Sequence, residues 1–114
     1  MMMSRYMKNG LDSSDNTRCL SEKQIERELV KAVKAMGGIA PKFTSPGFDG
    51  MPDRIVLLPG GKMGFAELKA PGRKPRVLQL ARHRLLRRLG FKVYVIDGVE
   101  QIDRILSEIG GGSI

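Results

Sequence analysis

The sequence predicts an α/β domain in which a small mixed sheet is flanked by helices, with an extra helix at the C-terminal end. Two observations carry that prediction. Helical apolar periodicity alternates with short apolar or β-branched runs, and Gly, Pro and Asp-Gly punctuation marks the joins, giving the order α-β-β-β-α-β-α. No internal repeat or second composition zone interrupts it, so one domain over residues 21–109 is expected between a flexible N-terminal tail, residues 1–20, and a flexible C-terminal tail, residues 110–114.

The first twenty residues scatter Met, Ser, Asn and Asp without a period. A helix then opens on Ser21 as N-cap with Gln24 three residues on, the spacing of a capping box. Ile25, Leu29, Ala32, Val33 and Met36 mark its buried side, and Gly37-Gly38 ends it. Residues 39–43 suit a short strand in which Pro41 demands an edge or a bulge. The Ser-Pro-Gly and Asp-Gly steps make residues 44–51 a loop. Residues 54–58 are apolar after Arg54, which suits a strand buried on both faces. Pro59-Gly60-Gly61-Lys62 turns the chain, residues 63–69 return as a strand, and residues 70–75 form a basic loop. Residues 76–89 read as a helix with Leu78, Ala81, Leu85 and Leu89 inward. Residues 91–96 form a β-branched, aromatic strand, Asp97-Gly98 a turn, and residues 99–109 a final amphipathic helix.

Composition narrows the function classes. A chain of 114 residues suits one core that buries roughly two thirds of its unfolded surface. With one cysteine, Cys19, and one histidine, His83, an internal disulfide and a Cys/His zinc site are excluded by count. No apolar run approaches the roughly 20 residues of a membrane span, and residues 1–9 lack a signal-peptide core, so a soluble protein in the cytoplasm of a bacterial or phage-infected cell is expected. The charge is concentrated. Of 20 basic residues, eight (Arg73, Lys74, Arg76, Arg82, Arg84, Arg87, Arg88 and Lys92) fall within residues 70–92, which hold no acid; the remainder is 12 basic against 12 acidic, so the whole +8 excess lies there. Most charge runs are solvated helix faces, but an uncompensated one beside a carboxylate pair favours contact with a polyanion.

That pair is Asp53, in Pro52-Asp53, and Glu67, in Glu67-Leu68-Lys69. Two carboxylates on adjacent strands can chelate a hard divalent cation such as Mg²⁺ or Mn²⁺, and Lys69 points the same way as Glu67 because strand side chains repeat every two residues. The hairpin register decides whether they meet. A two-residue turn at Gly60-Gly61 would set Asp53 against Leu68 and send Glu67 to the other face of the sheet. A three-residue turn or a bulge is therefore expected, bringing Asp53 beside Glu67 or Lys69. Hydrolysis of a phosphodiester at such a site uses a cation for Lewis acidity and a lysine for the charge on the phosphate. Empty, the paired carboxylates should show raised pKa values.

The ordered set Ser21-Glu22-Lys23-Gln24-Ile25-Glu26, Gly50-Met51-Pro52-Asp53-Arg54-Ile55, Phe65-Ala66-Glu67-Leu68-Lys69-Ala70-Pro71-Gly72, and Gln79 with Arg82-His83 ahead of Leu89-Gly90, resembles the virus-type replication-repair nuclease (VRR-NUC) family of the PD-(D/E)xK nuclease superfamily. The resemblance covers residues 21–109. It implies a restriction-endonuclease-like αβββαβ core and a metal-dependent, structure-selective DNA endonuclease, acting on branched DNA such as four-way (Holliday) junctions in replication, recombination or repair. It also implies the Leu68 carbonyl as a third ligand, a glutamate of the first helix reaching the metal through water, matched best by Glu26 with Glu22 in reserve, and Gln79 orienting water or a phosphate oxygen. Without it, Glu26 reads as an exposed acid pairing with Lys23 or Lys31, and Gln79 as a surface residue. Lys42, Arg73, Lys74, Arg76, Arg82 and His83 are the candidate DNA contacts. A homodimer is expected, because one domain about 30 Å across does not easily cut two strands of a junction. A sequence-specific endonuclease would need recognition loops for which the chain has little length, and a non-catalytic binding module would not need Asp53, Glu67, Lys69 and Gln79 intact.

Overall fold

The structure is a computed structural model and describes residues 20–111, so nearly all of the expected N-terminal tail and residues 112–114 lie outside the described residues. Helix α1 (Glu22–Ala35) leads to β1 (Arg54–Leu58), β2 (Lys62–Leu68), α2 (Val77–Arg88), β3 (Val93–Ile96), a 3-10 turn (Val99–Gln101) and α3 (Ile102–Ile109). β2 is central in the sheet, antiparallel to β1 and parallel to β3.

The capping box forms as expected: Gln24 N–H donates to Ser21 Oγ at 3.1 Å and Ser21 N–H to Gln24 Oε1 at 2.7 Å. From that start Ile25, Leu29 and Val33 enter the main core. Met36, expected on the same side, is the C-cap and is exposed. Strand alternation then divides the sheet into two faces. Val56, Leu58, Ala66, Leu68 and Ile96 pack with α1 and with Ile102, Ile105, Leu106 and Ile109. Phe65 and Val93, on the opposite face, pack with Leu86 of α2, supported by Phe43, Ile55 and Met63. Phe43 and Phe91 tilt against Phe65 with ring centroids 5.9 Å away in each case.

Residues 39–43 form no continuous strand. They lie along β1 through isolated antiparallel bridges, Ile39 to Leu57 and Lys42 to Arg54. Ile39 and Leu57 exchange both backbone bonds, whereas Ile55 N–H reaches the Pro41 carbonyl and nothing returns, because proline has no N–H. The edge position expected of Pro41 is real, and the missing donor breaks the ladder there. β1 is not buried on both faces: Val56 and Leu58 face the core while Leu57 is exposed beside the thin edge.

Helix α2 is rotated from the expected setting. Its buried residues are Gln79, His83 and Leu86, while Leu78 is 44% and Leu89 63% exposed. β3 begins at Val93, two residues later than expected, since the Phe91 N–H closes the end of α2 on Leu86 O at 3.0 Å. The last helical segment opens as a 3-10 turn before α3.

Candidate active site

The hairpin register is the one the carboxylate pair requires. Leu58 pairs with Lys62 and Arg54 with Ala66, so Pro59, Gly60 and Gly61 form a three-residue turn, and continuing the pairing by one residue sets Asp53 against Glu67. Gly60 and Gly61 have φ of 85° and 76°, left-handed conformations that side-chain-bearing residues adopt at a cost. The turn therefore fixes which face Asp53 shares. That face also carries Glu67 and Lys69 and lies under α2.

Asp53 Oδ2 accepts from the Leu68 N–H at 2.8 Å, tying the end of β1 to the end of β2. Burial pushes the Asp53 carboxyl up to about 6, against the pull of the Leu68 amide; the Glu67 and Glu22 carboxylates raise it further and Lys69 opposes them. Glu67 is fully buried. Its Oε2 accepts from Gln79 Nε2 at 2.7 Å and lies 3.6 Å from Lys69 Nζ. Its Oε1 lies 3.5 Å from His83 Nε2, a separation too long for a hydrogen bond, and both atoms are buried without a hydrogen-bond partner.

Asp53, Glu67, Lys69 and Gln79 are thus gathered at one end of the sheet. The Gln79 amide is occupied on both sides, because its Oε1 accepts from the Arg76 N–H at 2.7 Å. It is a buried holder of Glu67, not a surface residue. On α1, Glu26 accepts from Arg54 Nε at 2.8 Å, and the same guanidinium donates to the Ala40 carbonyl. The acid that acts on Asp53 from this helix is Glu22. The expected pairing of Glu26 with Lys23 or Lys31 does not occur; Lys31 lies by Glu28.

The expected DNA contacts separate into three kinds. Arg73, Lys74 and Arg76 are exposed in the loop that follows Lys69, and Lys42 is exposed on the edge segment. Arg82 is partly occupied: its Nε donates to the Asp49 carbonyl at 2.7 Å and its guanidinium lies 3.8 Å from the centroid of the Phe48 ring, clamping the loop before Asp53 onto α2. His83 is a correction. At 1% exposure its ring is closed off from any DNA backbone and faces Glu67 instead. Nothing in the sequence flagged the Arg54–Glu26 pair or the Arg82–Phe48 contact, since both join segments far apart in the chain. For Gln79 and His83 a signal existed in their i, i+4 spacing, the separation that places two side chains on one helix face.

A mixed sheet with helices on both faces, presenting a Pro-Asp and a Glu-x-Lys together at its end, defines the PD-(D/E)xK nuclease class. Comparison with known proteins narrows it. The chain is 52% identical over 80 residues to "Putative nuclease p44" of Acyrthosiphon pisum secondary endosymbiont phage 1, a match covering 70% of this chain and 86% of that protein. It is also similar to a solved structure described as "VRR_NUC domain", with a TM-score of 0.71 and 31% identity over 75% of this chain and 94% of the other. No family model matches the sequence. On these relatives the chain belongs to the VRR-NUC family of nucleases. No helix among the described residues is long and apolar enough to cross a membrane.

Proposed function

We propose that this chain is a divalent-metal-dependent, structure-selective DNA endonuclease that cuts branched DNA, four-way junctions above all, as a homodimer, and that residues 21–109 form its nuclease unit. The observation that supports the reading best is the three-residue turn, whose register, continued by one residue beyond Arg54 and Ala66, puts Asp53 opposite Glu67.

Among the described residues, no group of three or more His, Cys, Asp or Glu side chains is gathered that would hold a metal ion by itself. The donor set still fits Mg²⁺ or Mn²⁺, because Mg²⁺ sites commonly use one or two carboxylates and leave other positions to water. The Asp53 carboxyl is held above its ordinary range by burial and by the neighbouring Glu67 and Glu22 acids, a condition a cation relieves. Asp53, Glu67 and the Leu68 carbonyl would hold it, with Glu22 as the helix acid acting through water and Glu26 second, since Arg54 already engages Glu26. When bound, such a cation supplies Lewis acidity and makes water a stronger acid.

The chain's own groups do the rest. Lys69 sets a positive charge beside Glu67, where it stabilises the negative charge that builds on the phosphate oxygens during attack. Gln79 fixes one oxygen of Glu67 so that the carboxylate need not reorganise. Arg73, Lys74 and Arg76, immediately beyond Lys69, bind flanking phosphates and orient the strand; Lys42 adds a contact from the sheet edge. A single site cuts a single strand, so paired incisions across a junction use two copies related by a two-fold axis.

The test is incubation with Mg²⁺ or Mn²⁺ and labelled single-strand, duplex, flap, splayed and four-way DNA. Cleavage of four-way junctions in preference to plain duplex, abolished by chelation, supports the reading. Cutting at fixed sites in linear duplex would replace it with a sequence-specific enzyme, and binding without cleavage under every metal condition with a non-catalytic module.

A further inference from the structure

We propose that His83 is a positioning residue for Glu67: its Nε2–H closes on Glu67 Oε1 and, with Gln79 holding Oε2, fixes both oxygens of the carboxylate. This rests on the reading of Glu67 as a working carboxylate of the nuclease site.

The setting of α2 is the first ground. The helix turns Gln79 and His83 inward and leaves Val77 81% and Leu89 63% exposed. Apolar burial alone would favour a rotation that hides the leucines. Polar groups are buried at a cost unless something inside receives them, and Glu67 is the charged group on the sheet face below.

Distance is the second ground. His83 Nε2 lies 3.5 Å from Glu67 Oε1 and neither atom has a hydrogen-bond partner. An N–H···O bond spans about 2.7–3.2 Å, so a movement of about half an ångström completes it. His83 Nδ1 is also buried and without a partner. A proton on Nε2 then leaves only an acceptor unsatisfied at Nδ1, whereas a proton on Nδ1 would leave a buried N–H unsatisfied and set two lone pairs, Nε2 and Oε1, against each other. A ring present only for packing would be cheaper as leucine or methionine. A ring present to touch DNA would not be shut away at 1% exposure.

Two measurements test it on the full chain. Because the chain has one histidine, a long-range ¹H–¹⁵N spectrum of labelled wild-type protein in saturating Mg²⁺ reads the ring tautomer without ambiguity. The expected result is the Nε2–H form, and the Nδ1–H form would overturn the proposal. Single-turnover and steady-state cleavage by His83→Met and His83→Gln supplies the second. His83→Met is expected to lower kcat about 10- to 100-fold, the usual range for partners that orient metal ligands, while KM for DNA and the Tm hold or the Tm rises. His83→Gln keeps a side-chain N–H and should recover most of the lost rate. Wild-type kcat in His83→Met, or equal losses in the Met and Gln variants, would contradict positioning. If His83→Met does not fold, the tautomer and the Gln variant decide. Glu67→Gln, run alongside, separates the failures: if it cleaves like wild type the site assignment falls, and if it is inactive while His83→Met is normal, only the His83 proposal falls.

Discussion

At the scale of single residues the site shows a tension between stability and chemistry. Asp53 has a folded-state pKa of about 6 against about 3.9 for an unfolded aspartate. The folded form therefore binds this proton more tightly than the unfolded form. The group's contribution is most favourable below about pH 4 and is lost as pH rises through about 6, because the folded chain must then carry a charge it disfavours. In metal-free buffer, Asp53→Asn is expected to raise the Tm at pH 7.5 and to change it little at pH 4, since asparagine keeps an oxygen for the Leu68 N–H. Adding Mg²⁺ should raise the Tm of wild type and leave that of Asp53→Asn nearly unmoved; denaturation scans at the two pH values check both. The same substitution, with Lys69→Ala, should abolish cleavage while leaving DNA affinity nearly intact.

At the scale of elements the loop over residues 44–51 positions Asp53 through its grip on α2. Gly50 has φ of 91°, and a Cβ there would lie 2.8 Å from Leu78 Cγ and 3.1 Å from Arg82 Cγ. Gly47 has φ of 81° with nothing within 4 Å of its would-be Cβ. Gly47→Ala is expected to cost about 1 kcal/mol through backbone strain, and Gly50→Ala more, at the upper end of about 1–3 kcal/mol, with a larger drop in kcat. Denaturant melts and cleavage rates of the two variants measure the packing difference. The elements also show what the sequence could reveal. The helices, the central strand pair and the hairpin register were legible, because capping residues, apolar periods and the requirement that Asp53 meet Glu67 each leave a local mark. The face of α2 was not. Its inward side carries Gln79, bonded to a buried carboxylate on another strand, and His83, where periodicity assigns leucines. Likewise the break in the edge segment follows from one absent N–H at Pro41, which the sequence located, while its extent depends on where β1 ends. Arg54's reach toward Glu26, which bears on the proposal of Glu22 over Glu26, is visible only in three dimensions.

For the whole molecule, the exposed basic loop of Arg73, Lys74 and Arg76 that follows Lys69 predicts how DNA is held. Neutralising Arg73, Lys74 and Arg76 together is expected to weaken binding to all DNA forms by similar factors and to flatten the dependence of log K on log salt by about one unit for each phosphate that is no longer neutralised. Arg84, Arg87 and Arg88, on the exposed side of α2, form the comparison set, and binding isotherms across a salt series would show which group carries the track. Sedimentation at micromolar concentration tests the dimer: a two-fold particle is expected, with symmetry-related nicks on a fixed four-way junction, whereas a monomer that cuts one strand of a flap and leaves junctions whole would remove the paired-site reading.

The most direct measurement compares wild type with Glu67→Gln on a labelled four-way junction in matched Mg²⁺ or Mn²⁺, with and without chelator. Metal-dependent cutting by wild type and none by Glu67→Gln, at equal DNA affinity, is the expected result. Cleavage by Glu67→Gln at near the wild-type rate, or wild-type cutting that survives chelation, would contradict the assignment of Asp53, Glu67 and Lys69 as the nuclease site.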